Sequence, residues 1–485
     1  MAQISAASAA SAVSVASKPT SARGKLSAIA GAAALLACAL GHAADAPPAA
    51  TPAATTAATP EPAAHKLDRL AGKAEGVVVY RGATLIDGTG AAPRGDMAIV
   101  VDGDTIESIV PAAQLDASPI AGARVYDARG LYVMPGLIDS HVHYATRPDR
   151  PYAEAELQRN IYGGVTGVRD MAGDARELAS LSRAALLNEI PAPDIFYAAL
   201  VAGPSFFQDP RTQVAALGTR PGAVPWLYAV TGQTDLSLAI AQARGTGATG
   251  LKIYANLPGP LVRKLIAEAK RQHFPVWTHQ QVYPATPYDS LGATTVSHVC
   301  MVARYVREAG KAQYGHGGEP SYAGMTAADP GIVKYVAALA RSGTIMDATL
   351  NVYAPDGPHC PLALAGDITR AMHRAGVKII AGTDSDAIVD DPYPILDREL
   401  QKLVQYAGLT PAEALVAATA NAAIALGKQD QFGTLAVGKL ANMVFLKNDP
   451  LQDIGNVRSV VLTVKRGHQF ARADYHFTPL PAHDD

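Results

Sequence analysis

The sequence predicts an α/β fold: a (β/α)8 TIM-type barrel with a small β-sandwich domain built from both chain ends. Three observations carry the prediction. Strand-like and helix-like segments alternate through the middle of the chain, the pattern of a parallel sheet covered by helices. Eight strand candidates stand there, enough to close a barrel. Strand-rich stretches flank them at both ends, residues 77–129 and 441–465.

Taken in order, residues 1–44 read as an export signal. Lys18, Arg23 and Lys25 form a positive region, residues 26–40 a short Ala/Leu-rich stretch, and small residues follow, with cleavage after Ala43 or Ala44. Leu35–Cys38 faintly resembles a lipoprotein box, so a lipid anchor at Cys38 stands as the lesser expectation beside a periplasmic or secreted location. The apolar stretch falls short of the ~20 residues a membrane-crossing helix needs, and no later segment qualifies. Residues 45–75 are a Pro/Ala-rich linker.

The small β-domain takes residues 76–130 and 433–485, and the barrel residues 131–432. In the first part, segments 77–80 and 84–87 are followed by a hairpin, 98–101 with 105–110, turning at Asp102-Gly103. The barrel strands are 131–139, 165–170, 194–201, 250–254, 275–279, 294–298, 344–349 and 377–383. Between them, residues 261–272 place Leu261, Leu265, Ile266 and Ala269 on one helical face. Residues 330–341 behave alike, as do residues 410–426, where Thr410 is the N-cap and Pro411 the first helical residue. Residues 202–235 and 299–330 are long connections on the catalytic face, candidate substrate walls, the first carrying Phe206, Phe207, Trp226 and Tyr228.

Composition narrows the function. The chain has 485 residues, 49% hydrophobic, and a net charge of −2. Near-neutral charge without a long basic run argues against a nucleic-acid partner. Beyond Cys38, only Cys300 and Cys360 are present, too few for a disulfide scaffold or a Cys-based zinc site. Export permits one disulfide; the sequence does not say whether these two meet.

Chemistry-bearing residues fall at the strand ends: His141 and His143, Asp170, Lys252, His279, His298 and Asp384. In D-S-H-V-H, alternation along a strand turns both imidazoles to one side, a spacing suited to one metal ion. Tyr254, two residues beyond Lys252, faces the same way and is a candidate substrate contact. Arg169 and Asp170 read as a structural pair beneath the site. Gly245–Gly250 matches G-x-G-x-x-G but follows a helix and precedes a strand, the reverse of a dinucleotide fingerprint. Neither G-x-S-x-G nor H-E-x-x-H occurs. His42, His65 and His483 lie in tails, His316 and His359 in catalytic-face loops.

The order H-x-H, Lys, His, His, Asp resembles the amidohydrolase superfamily of metal-dependent hydrolases. The motifs MPGLIDSHVH, GGVTGVRDMAG, GLKIY, HFPVWTH, AGTDS, GLTPAEALVAATANAA and GTLAVGKLANMVF carry the resemblance. The K-I-Y context is similar to the imidazolonepropionase-like and Xaa-Pro dipeptidase-like subgroup. The resemblance implies two divalent metal ions, zinc suiting the nitrogen and oxygen ligands best. His141, His143 and Asp384 would bind one and His279 and His298 the other, with Lys252 N6-carboxylated as their bridge. Asp384 would take a proton from the metal-activated hydroxide and pass it to the leaving amine. Val296-Ser297 before His298, Asn442 and Asp397 depart from the usual pattern.

The expected function is hydrolysis of an amide or peptide-like C–N bond in a small molecule, a dipeptide or N-acyl amino acid. A mononuclear deaminase or cyclic-imide or lactone hydrolase, with Lys252 structural, is the alternative. A degenerate barrel acting as a cell-envelope binding protein is the alternative of another class, and self-association into a homo-oligomer is left open.

Overall fold

The computed structural model describes residues 76–116, 119–314, 320–355, 360–384 and 390–477. The export signal, the linker, Cys38, His42, His65, His316, His359 and His483 lie outside them. No helix among the described residues is long and apolar enough to cross a membrane.

The N-terminal part supplies β1 (Val77–Leu85), β2 (Arg94–Asp102), β3 (Thr105–Pro111), β4 (Arg124–Asp127) and β5 (Tyr132–Pro135). The barrel strands follow: β6 (Leu137–Val142), β7 (Val165–Asp170) and β8 (Asp194–Ala202), a short hairpin of β9 (Ala223–Val224) and β10 (Leu227–Ala229), then β11 (Gly250–Ile253), β12 (Val276–His279), β13 (Thr295–Ser297), β14 (Ile345–Asp347) and β15 (Ile379–Ile380). The chain ends with β16 (Met443–Leu446), β17 (Val460–Lys465) and β18 (His468–Ala471).

The two chain ends share one mixed sheet in the order β18-β17-β16-β5-β1-β2-β3, with β4 also on β1. β16 runs antiparallel to β5, which runs parallel to β1. Tyr80, Val101, Met443 and Phe445 meet in this sheet's own core. Gly103, at φ +59°, turns the β2–β3 hairpin as expected.

In the barrel, β6, β7, β8, β11, β12, β13, β14 and β15 pair in parallel, each with the next. The seam between last and first strands is drawn shut by Ser140 N–H donating to Ala381 O (2.9 Å) and Asp384 N–H to His141 O (2.9 Å). Buried Asp139 reinforces it, accepting from Thr383 Oγ1 at 2.9 Å and Thr383 N at 3.1 Å.

Several elements differ from the sequence reading; segments 77–80 and 84–87, expected apart, form the single strand β1. Residues 131–139, expected as one barrel strand, are two: β5 belongs to the mixed sheet and β6 to the barrel. The Pro135-Gly136 step divides them, and Gly136 packs so closely on Thr166 that a side chain would collide with it. Residues 410–426, expected as one helix, are two, Pro411–Ala417 and Ala420–Leu426. The break turns the carbonyls of Ala417 and Ala418 onto the barrel, where they accept from Ala381 N (3.3 Å) and Ile138 N (2.8 Å). The Thr419 hydroxyl bonds back to Leu415 O at 2.6 Å, a local bond that competes with helix continuation.

Candidate metal centre

The barrel delivers the predicted residues to the C-terminal mouth of its strands. His141 lies within β6 and His143 just past it; Lys252 lies in β11 and His279 ends β12. His298 follows β13, and Asp384 follows β15. His298 (φ +75°), Thr349 (φ +50°) and Asp384 (φ +43°) adopt left-handed backbone, a conformation that costs non-glycine residues energy and gathers at functional sites.

Asp384 is the hub. Its Oδ1 lies 3.2 Å from both His141 Nε2 and His143 Nε2, and its Oδ2 lies 3.4 Å from His298 Nδ1. The donor atoms of His141, His143 and Asp384 sit within 4.8 Å of one another, close enough to hold one metal ion. His279 and His298 stand beside them, their rings 4.6 Å apart, and the His141 and His298 rings are 5.2 Å apart.

Hydrogen bonds fix which nitrogen of each histidine is left over. His141 Nδ1–H donates to Asp347 Oδ2 (2.7 Å), His143 Nδ1–H to Ala172 O (3.3 Å) and His279 Nδ1–H to Gln280 O (2.9 Å). Thr349 spends its hydroxyl proton on Ala348 O, so it accepts from His298 Nδ1–H at 3.1 Å. All four rings thereby commit Nδ1 and leave Nε2, the arrangement in which an outer acceptor orients a metal-binding imidazole. Burial holds His141 and His298 well below the usual histidine range and His279 down at about 3, favouring neutral rings. Burial opposes charge on His143 too, but Asp384 outweighs it and raises the ring; a proton there stands where a cation would.

Lys252 is fully buried, and its Nζ has no hydrogen-bond partner among the described residues. It lies 5.4 Å from the Tyr254 ring, and burial brings its pKa down to about 8. A buried, orphaned amine beside four imidazoles and a carboxylate fits a role that changes its charge.

Asp347 was not legible as a site residue. Asp347 ends β14 as the other polar residues end theirs, and that position was the available signal. It holds His141, accepts from Ser297 Oγ (2.9 Å) and pairs with Arg169 at 3.0 Å, all buried. Arg169 therefore pairs with Asp347 and not, as expected, with Asp170. Asp170 instead caps the backbone of Tyr144 (2.8 Å) and Ala172 (3.2 Å). A side chain on Gly382 would press to within 2.7 Å of His141 Cβ and collide with Asp347, so glycine is needed there.

The mouth opens into a cavity of about 600 Å³. The 202–235 connection supplies much of its wall through Phe206, Arg211, Val214 and Leu227. Trp226, counted with that wall on sequence, is buried beneath it and bonds Ala215 O at 3.0 Å. Cys300, two residues past His298, is disulfide-bonded to Cys360, tying the segment after β13 to the one after β14.

A profile described as the amidohydrolase family matches residues 301–470. N-acyl-D-aspartate deacylase of Alcaligenes xylosoxydans xylosoxydans is 35% identical over 182 residues, 36% of this chain and 32% of the deacylase, so the chain matches only a third of that relative's length. Imidazolonepropionase of Chromobacterium violaceum is 24% identical over 74% of this chain and 88% of its own. Ochratoxinase of Aspergillus niger is 26% identical over 79% and 83%. Among solved structures, a Xaa-Pro dipeptidase with methionine bound in its active site shares the fold, with a TM-score of 0.63 at 20% identity over 82% of this chain and all of its own. Barrel, end-sheet, mouth residues and relatives point the same way: the chain is similar to the amidohydrolases, imidazolonepropionase and ochratoxinase among them, and shares its fold with a Xaa-Pro dipeptidase.

Proposed function

We propose that this protein hydrolyses the amide bond of a dipeptide or N-acyl amino acid, using two divalent metal ions, zinc above all, bridged by a carboxylated Lys252. The observation that carries the reading is the Lys252 amine, buried without an acceptor among four histidines whose Nε2 atoms are left over. An ammonium there would repel two cations. A pKa near 8 leaves part of the amine neutral at neutral pH, and a neutral amine adds to CO₂, releasing a proton and becoming an anionic carboxylate.

In this reading His141, His143 and Asp384 hold one ion, and His279 and His298 hold the other. When bound, the pair supplies Lewis acidity to the scissile carbonyl and lowers the pKa of water. Asp384 moves the proton. The neighbouring His141 and His143 overcome its burial and hold its carboxyl well below the usual range. It is therefore ionised, able to accept a proton from water at Oδ2 and return it to the leaving nitrogen. Asp347 and Arg169 keep His141 in one tautomer and one orientation.

The names of two relatives support the bond type, a deacylase and a Xaa-Pro dipeptidase. Export to the periplasm or beyond is part of the proposal, supported by the leader pattern of residues 1–44 and by the Cys300–Cys360 disulfide, a bond that persists in oxidising compartments. One observation favours a mononuclear deaminase or cyclic-imide or lactone hydrolase: among the described residues, His141, His143 and Asp384 form a group of three, enough for one ion.

The experiment is hydrolysis by metal-loaded protein of a panel of dipeptides, N-acyl amino acids, lactams, lactones and aminopurines. Turnover confined to the linear amides supports the proposal. Turnover confined to lactams, lactones or aminopurines overturns it.

A further inference from the structure

We infer that Glu399 is a positioning residue for His298: together with Lys402 it clamps the turn whose Thr349 hydroxyl orients that imidazole. The inference rests on the reading of His298 as a metal ligand and deepens it by naming what holds the ligand in place.

The turn needs holding. Leu350–Val352 is a short 3-10 helix just past β14, and Thr349, which opens it, sits at φ +50° and ψ +49°. Left-handed backbone is costly for a β-branched residue and persists only where the surroundings over-determine it. In that conformation the Thr349 hydroxyl accepts from His298 Nδ1–H at 3.1 Å, which leaves Nε2 for an ion. His298 is itself at φ +75°, so the imidazole and its acceptor both stand on strained backbone.

Glu399 and Lys402 lie three residues apart on one face of the helix Leu396–Gln405. Buried Glu399 accepts from Leu350 N–H at 3.0 Å through Oε1 and from Asn351 N–H at 2.7 Å through Oε2. These are opening donors of the turn, which have no partner within a helix so short. Lys402 Nζ takes the carbonyl side, 3.4 Å from Leu350 O, 3.1 Å from Asn351 O and 3.2 Å from Asn351 Oδ1. An ammonium has three protons, and each has an acceptor here. The two side chains thus pin successive peptide units from the 349–350 bond onward, and Thr349 is kept from relaxing. Hydrogen bonds to an ionised carboxylate are roughly twice as strong as neutral ones, so Glu399 holds a strained turn better than an amide would. Neither Glu399 nor Lys402 lines the cavity, so their influence on the centre passes through Thr349.

The test reads the imidazole as well as the metal. In metal-free protein carrying 15N-labelled histidine, the His298 ring signals are identified by their loss in His298→Asn. The wild type should carry the ring proton on Nδ1. Glu399→Gln and Thr349→Val should each give a mixture of tautomers, and Thr349→Ser should keep the wild-type pattern. Zinc titration against a chelator should show the second ion held about tenfold more weakly in Glu399→Gln, with the first unchanged. Lys402→Met, at a half-buried position, should shift the ring the same way and serves if Glu399→Gln fails to fold. A proton on Nε2 in the wild type, or one kept fully on Nδ1 in whichever variant folds, overturns the clamp. So does a shifted ring that holds the second ion as tightly as before. If the wild type takes up one ion only while the tautomer responds as expected, the two-metal reading fails and the clamp stands.

Discussion

Lys252 and Asp347 govern the centre in different ways. Lys252 meets no acceptor among the described residues, so its place in the fold makes sense through a change of charge. Lys252→Ala should leave at most one metal ion per chain and lower turnover by several orders of magnitude, while small carboxylates in solution should restore part of it. Elemental analysis and assays with added acetate or formate check both. Asp347 acts through His141, whose Nδ1 proton it accepts. Asp347→Asn weakens that acceptor and leaves buried Arg169 without its counter-charge, so metal affinity should fall about ten- to a hundredfold. Competition against a chelator measures it, and an unchanged affinity would show that the contact is ornamental.

Among the elements, the helix Leu396–Gln405 carries a buried carboxyl, Asp397. Asp397 lies 3.6 Å from Arg458 Nε, yet neither of its oxygens accepts a hydrogen bond among the described residues. Burial outweighs the neighbouring arginines and pushes it up to about 8. The folded protein then binds a proton that the unfolded chain releases near pH 4, so this group lowers stability as pH rises from about 4 to 8. Asp397→Asn, which stays neutral, should raise the melting temperature more at pH 9 than at pH 6. A gap that shrinks with rising pH would contradict this.

The same scale shows what the sequence could and could not disclose. The convergence of the four histidines, Lys252 and Asp384 on one mouth was legible because ligand-type residues stand at the ends of barrel strands. The division of β5 from β6 was hidden, since the apolar run of β5 continues across the step into buried Leu137 and Ile138 of β6. The helix break at Thr419 was hidden because the reason for it lies across the barrel, in the bonds of Ala417 and Ala418. Asp347 looked like an ordinary strand-end carboxylate, and Arg211 stands in a connection with no periodicity to read.

At the scale of the whole molecule, the end-sheet and barrel are joined by buried polar contacts as well as apolar ones. Lys465 of β17 is fully buried and donates to Ala185 O (2.6 Å) and Ala192 O (2.9 Å), beside Asp194. Lys465→Met would strand two buried carbonyls and should cost about 2–4 kcal/mol, read by denaturant unfolding, with metal content per folded chain unchanged. The central claim is a binuclear centre bridged through Lys252, and the metal count tests it most directly. Protein reconstituted with zinc in the presence of bicarbonate, then freed of excess metal, should hold two ions per chain by elemental analysis, and Lys252→Ala at most one. One ion per chain in the wild type, or two retained in Lys252→Ala, would contradict it.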